Sequence, residues 1–171
     1  ISDASRLDAE ISREGMKKVD VKSILVEMVN FYNRDKKKVK LNLINDSKYF
    51  ITGNELRLSQ VFSNIIDNAL SFNNSYKKVE IDLKNKKNNI LIEISDFGPG
   101  IPKNNIDKIF DRFFTERLKK EEFGKHSGLG LSIVKQIIDA HGGEIRVENR
   151  LGLNKRTIGA KFTIILNKLT L

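Results

Sequence analysis

With 171 residues, 39% apolar content and no cysteine, the chain can bury one core, and it excludes disulfides, thiolate catalysis and cysteine-based zinc sites. Two histidines far apart in sequence argue against a histidine-rich metal site, and no apolar run approaches the roughly 18 residues that span a bilayer. The formal charge of +9 points to an anionic partner, but the lysines stand in short clusters without interleaved aromatics, so a solvated basic surface is preferred to a nucleic-acid groove. The first residues, ISDASRLDAEISREG, lack the basic-then-apolar layout of a signal peptide. They begin without methionine and in mid-pattern, so a fragment of a longer protein is expected.

Along residues 1 to 14, Ile1, Ala4, Leu7 and Ile11 recur at spacings of three and four, which predicts one apolar stripe on a helix. Gly15 ends that pattern. Val21, Ile24, Leu25, Met28, Val29 and Tyr32 form a second helical series, with Asp20 placed to cap it. VKLNLI and YFIT alternate as two short strands around the turn-like NDSK. A third helix is predicted from about Glu55 to Phe72, with Leu58, Val61, Phe62, Ile65, Ile66, Ala69 and Leu70 on its apolar side. KKVEIDL and NNILIEIS alternate with period two about a lysine- and asparagine-rich hairpin turn. Residues 103 to 127 show little regular pattern apart from the aromatic cluster IFDRFF. SGLGLSIVKQIIDAHGG then opens with glycines, becomes an amphipathic helix and stops at a double glycine, and EIRVEN and AKFTIIL close the chain as strands. Grouped strands with a few long helices predict an α/β two-layer sandwich, a mixed sheet covered on one face by helices.

Three stretches carry chemistry. Asn64 and Asn68 are four apart on one helix face, with Asp67 about a turn from the first. Asparagine is a poor helix-interior residue, so the pair is either surface polarity or a set of amide oxygens for a hard cation such as Mg²⁺. In DFGPGIP, Asp96 follows a strand whose Ile90, Ile92 and Ile94 share one face, and its carboxylate can accept a proton from an exocyclic amine. Gly98 and Gly100 let the backbone approach a flat ligand, although a plain β-turn explains them equally well. Gly128 and Gly130 precede a helix whose unpaired N–H groups offer an anion site, or they serve close packing.

In order and spacing these stretches resemble the boxes of the histidine-kinase catalytic and ATP-binding domain, part of the GHKL ATPase group with its Bergerat fold. NIIDNALSF resembles the N box, DFGPGIP the G1 box, IFDRFFT the F box and SGLGLSIVKQIIDAHGG the G2 box with its helix. The resemblance runs from about Val19 to Leu166, and residues 1 to 16 resemble the end of the dimerisation helix that precedes such a domain, which would then occupy 17 to 171. In wording such as NALSF, FFTERLKKEEFG and HSGLGLS the chain is most similar to sensor kinases of the ChvG/ExoS type.

The resemblance implies roles. Asp96 would hold the adenine amino group, with Gly98, Gly100 and Ile101 shaping the base pocket and Phe72 beside it. Asn64 and Asn68 would act at the triphosphate, Asn68 through Mg²⁺, and Gly128, Leu129, Gly130 and Leu131 would set backbone amides against the phosphates. Residues 103 to 127 would form a mobile ATP lid pinned by Phe110, Phe113 and Phe114, with Arg117 and Lys125 as candidates for reaching the γ-phosphate. Two departures bear on affinity: Ser71 and Phe72 stand where many members have a phosphate-binding lysine and its neighbour, and His126-Ser127 replaces the first glycine of GxGLGL.

ATP-hydrolysing relatives place a general-base glutamate four residues before the metal asparagine. Here that position is Asn64, an amide, so hydrolysis is expected to be slow. The family's phosphoacceptor box is absent, and His141 at a helix C-terminus reads as a cap, so the acceptor histidine is expected upstream, on helices shared by a homodimer. The expected activity is transfer of the γ-phosphoryl of Mg-ATP to that histidine, for relay to a response-regulator receiver aspartate, in the cytoplasm. Two other readings stand: a module of this fold that has lost nucleotide and acts by protein contact, and a basic nucleic-acid binder. Serine/threonine-kinase chemistry is excluded despite Asp96-Phe97-Gly98, because the glycine-rich loop, VAIK-like lysine and HRD-like loop are missing.

Overall fold

The computed structural model describes residues 2–45, 47–112, 114 and 130–170. Its core is a five-stranded sheet in the order β2-β4-β5-β7-β6, built from Val39–Leu43 (β2), Val79–Lys86 (β4), Asn89–Ser95 (β5), Thr157–Asn167 (β7) and Glu144–Leu151 (β6). β2 runs parallel to β4, and the remaining pairs are antiparallel. Period-two alternation explains which face is buried: Ile81, Leu83, Ile92, Ile94, Phe162 and Ile164 all point into the core at 0–1% exposure.

Helices pack on that face. α3 (Glu55–Phe72) lies against β4 and β5, α4 (Gly130–Ala140) against α3 and β6, and α2 (Val21–Tyr32) against α3 and β2. Each start is capped where the sequence has a short polar residue: Asp20 accepts from the N–H groups of Lys22 and Ser23, and Asn54 from that of Arg57. α4 closes with Gly142 N–H to Asp139 O and Gly143 N–H to Ile138 O, the Schellman pair. The opposite sheet face has no helix packed on it among the described residues. It carries a chain of alternating charge across four strands, Lys84–Glu93–Lys161–Glu148.

The first helix, α1 (Asp3–Glu14), buries Leu7 and Ile11 in the same core, and Glu10 and Glu14 reach Arg57 at 2.9 and 3.1 Å. Two features were left open by the sequence. VKLNLI and YFIT do not pair with each other: the former supplies β2, whereas Phe50–Gly53 (β3) joins a separate two-stranded sheet with Lys17–Asp20 (β1). β1 itself was not anticipated, because four residues with the single buried apolar side chain Val19 carry too little periodicity to register.

Candidate functional site

Asp96 stands at the C-terminal end of β5, the middle strand of the five, and is 3% exposed. Its backbone continues the sheet through a bond from its N–H to Ala160 O. Its carboxylate is held by one oxygen: Oδ1 accepts from the Gly98 N–H at 2.8 Å and the Ala160 N–H at 3.1 Å. No donor among the described residues reaches Oδ2, so the second oxygen of this nearly buried carboxylate is left for a ligand N–H.

The loop after Asp96 is fastened at each step. Phe97 N–H donates to Asn73 Oδ1 at 2.7 Å, Arg150 Nη1 donates to Asp96 O at 2.7 Å, and the Arg150 guanidinium sits 4.3 Å from the Phe97 ring centroid. Ile101 bonds through both its N–H and its C=O to the Asn149 amide, each at 2.7 Å. Two glycines are required by this path. A Cβ on Gly98 would lie 2.4 Å from the backbone oxygen of Phe72, and Gly100 has φ +77° with Thr157 Cγ2 where its Cβ would be.

Between this loop, α3 and α4 lies a cavity of about 680 Å³. Its apolar walls include Phe72, Ile101, Phe114, Leu131 and Phe162, while Asn68, Asp96, Lys103, Asn105, Asn149 and Thr157 supply the polar groups. An apolar slot with a few convergent polar groups is the form of a small-molecule site. Phe110 packs edge-on against Phe162 at 6.3 Å, so it supports the wall as a packing aromatic.

Residues 53–170 match the family model of the histidine kinase-, DNA gyrase B-, and HSP90-like ATPases. The chain belongs to this ATPase family. It is similar to the sensor protein ChvG of Rhizobium meliloti (strain 1021), with 42% identity over 97% of this chain and 30% of that protein's length. Among solved structures it is similar to the mycobacterial sensor histidine kinase MprB, at 25% identity with a TM-score of 0.75, covering 91% of this chain and 99% of that one. The histidine kinase ThkA in complex with response regulator protein TrrA shares the fold, at 24% identity and a TM-score of 0.72 over 90% of this chain and 42% of that one. The chain is thus a histidine kinase ATPase domain of the two-component sensor type, with the α/β fold of that group.

Within this ATPase domain, the cavity brings together Asn68, Phe72, Asp96, Gly100, Ile101 and Leu131. Gly98 stacks behind it on the Phe72 backbone. Asn64 lies one turn before Asn68 at the seam of α3 and α4, where its Nδ2 donates to Gly130 O at 3.3 Å. Asp67 faces the other way: Tyr32 Oη donates to its Oδ1 at 2.7 Å, and burial together with that carboxylate raises the Tyr32 hydroxyl pKa. Gly128, Leu129 and Lys125, with Phe113, Arg117, His126 and Ser127, lie outside the described residues.

His141 caps α4 as the sequence suggested, with Nδ1 donating to Ile137 O at 2.7 Å, but Nε2 also accepts the Asn54 N–H at 3.0 Å. Both ring nitrogens are therefore committed to the neutral tautomer, and burial lowers the ring's pKa.

Sequence reasoning missed Asn73, Asn149, Arg150 and Thr157. One signal for Asn149 was present: in EIRVEN the buried Ile145 and half-buried Val147 alternate inward, so residue 149 falls on the core side, where a polar side chain needs a reason.

Proposed function

We propose that the cavity binds Mg-ATP and that the chain passes the γ-phosphoryl group to a histidine of the same protein, located on dimerisation helices of which α1 is the end. The observation that carries this reading is Asp96, a 3%-exposed carboxylate whose Oδ2 has no donor among the described residues and which borders an apolar slot wide enough for a purine. In it, Asp96 accepts the adenine amino group, while Phe72, Ile101 and Leu131 cover the faces of the base. Asn68, which lines the cavity from α3, would meet the triphosphate.

No group of three His, Cys, Asp or Glu side chains among the described residues could hold a metal. A Mg²⁺ ion would then rest on the Asn68 amide oxygen, the phosphates and water, a donor set that suits this cation. When bound it neutralises phosphate charge. Asn64, tied to Gly130 O, holds the start of α4 against α3 and offers no proton acceptor for water. Phosphoryl transfer breaks the bond from the γ-phosphorus to the bridging oxygen and forms one to an imidazole nitrogen. ADP leaves with that oxygen, and the imidazole proton passes to solvent. ChvG spans more than three times the matched length, and the acceptor histidine, the homodimer, the receiver-domain partner and a cytoplasmic location belong to that longer protein in our reading.

Calorimetric titration of the chain with ATP, with and without Mg²⁺, beside Asp96→Asn, tests this. Saturable binding that the variant weakens roughly tenfold or more is expected, since a hydrogen bond to a charged group contributes about 1.5–3 kcal/mol. No binding at millimolar ATP would instead support a module that acts by protein contact.

A further inference from the structure

Asn149 is on β6, an edge strand of the sheet, yet its side chain crosses to the loop beyond β5. Its amide pairs with a single residue as a neighbouring strand would: Oδ1 accepts the Ile101 N–H and Nδ2 donates to Ile101 O, both at 2.7 Å. On the sheet, Asn149 is the rung partner of Ala160. Ala160 in turn holds Asp96, donating its N–H to Oδ1 at 3.1 Å and accepting the Asp96 N–H at 3.0 Å. One rung of β6 and β7 therefore fastens both ends of the 96–102 loop. Between those ends Gly100, at φ +77°, presses so closely that a Cβ there would meet Asn149 Oδ1 at 2.8 Å.

We propose that Asn149 is a positioning residue that sets base discrimination in this site. By holding the Ile101 peptide at a fixed distance from the Asp96 carboxylate, it keeps a purine in the one register where a 6-amino group faces that oxygen. A 6-keto group in the same register would put oxygen against oxygen, unbonded in a buried site. With the Ile101 end released, the base can slide, and the contrast between amino and keto purines falls. This inference rests on the nucleotide reading above. Loss of a purely structural hydrogen bond would lower stability but leave that contrast intact.

The test is competition of ATP and of GTP against a fluorescent adenine nucleotide, on the wild-type chain, Asn149→Ala and Asn149→Asp, with thermal melting of each without nucleotide. Aspartate has the same shape and still accepts from the Ile101 N–H but cannot donate to Ile101 O, so it keeps the question answerable if the alanine variant does not fold. We expect ATP affinity to fall roughly tenfold in Asn149→Ala, where both hydrogen bonds to Ile101 are lost, with a smaller fall in Asn149→Asp, where one is kept. GTP affinity should change much less, so the ATP-to-GTP ratio collapses. Equal loss for both nucleotides, or a lowered melting point with an unchanged ratio, would overturn the proposal. A wild-type chain that binds ATP in an Asp96-dependent way while the Asn149 variants match it sinks this inference alone, whereas a wild-type chain that binds no nucleotide sinks the reading beneath it as well.

Discussion

At the scale of single residues, the site depends on groups whose neighbours leave them one conformation. Asp96 is fixed through Oδ1, Phe97 through Asn73, and Ile101 through Asn149, so the loop arrives at the cavity already ordered, and little ordering entropy remains for a ligand to offset. Gly98 shows how narrow the tolerance is. Its missing Cβ would lie 2.4 Å from the Phe72 backbone oxygen, and neither partner is a flexible side-chain tip. Gly98→Ala should therefore cost ~1–3 kcal/mol of stability and push Phe72 and the loop apart, weakening nucleotide binding. Thermal melting and ATP titration of the variant check this; a melting point equal to wild type would show that the α3–loop contact yields freely.

Among elements, α3 organises the domain because several partners converge on its first turn. Asn54 caps it and bonds Glu14 of α1 through Nδ2 at 2.7 Å, Arg57 pairs with Glu10 and Glu14, and His141 at the end of α4 accepts the Asn54 N–H. Protonation of His141 turns its Nε2 acceptor into a donor facing that N–H, so the bond is lost. The folded pKa is lowered from 6.5, chiefly by burial, so the neutral form is favoured in the native state. The sign follows: this contribution is complete above pH 6.5 and is lost as pH falls through the depressed value, because the unfolded chain then binds the additional proton. Melting midpoints should fall more steeply as pH drops below 6.5 for wild type than for His141→Gln, and parallel curves would refute the coupling. Glu93 on the open sheet face loses its contribution at lower pH. Burial alone would raise its carboxyl, but Lys84 and Lys161 hold it below 4.5, so its share disappears as pH falls through that lowered value.

For the whole molecule, helices on one sheet face and charge on the other leave the cavity at the end of the middle strand, where loops from β5, α3, α4 and the β6–β7 pair meet. A ligand there touches elements distant in sequence, so it should stabilise the fold as a unit. With Mg-ATP at a hundredfold excess over Kd, the native state should gain about 2.7 kcal/mol. For a chain of this size that raises the melting midpoint by about 5–10 °C. The rise should shrink by about half or more in Asp96→Asn at the same nucleotide concentration, as differential scanning fluorimetry can establish.

Local patterns in the sequence determined much of this protein. The 3.6 period of Leu58, Val61, Phe62, Ile65, Ile66 and Ala69 placed α3 at its observed bounds, and alternation in VEIDL and ILIEI placed the β4–β5 hairpin, because each signal lies within one element and reports its own burial. The N box, G1 box and G2 box stretches likewise named Asn68, Asp96, Gly100, Ile101 and Leu131 before the cavity brought them together. Pairing between distant segments was left to the tertiary structure. Nothing local tells VKLNL to run parallel to β4 or YFIT to leave for a second sheet, since those choices are made by partners tens of residues away. The same holds for Asn73, Asn149 and Arg150, whose side chains contact the Asp96 loop only after α3 and the β6–β7 pair have folded against β5. Their roles are relations between elements, and a relation between elements leaves no periodicity in either one.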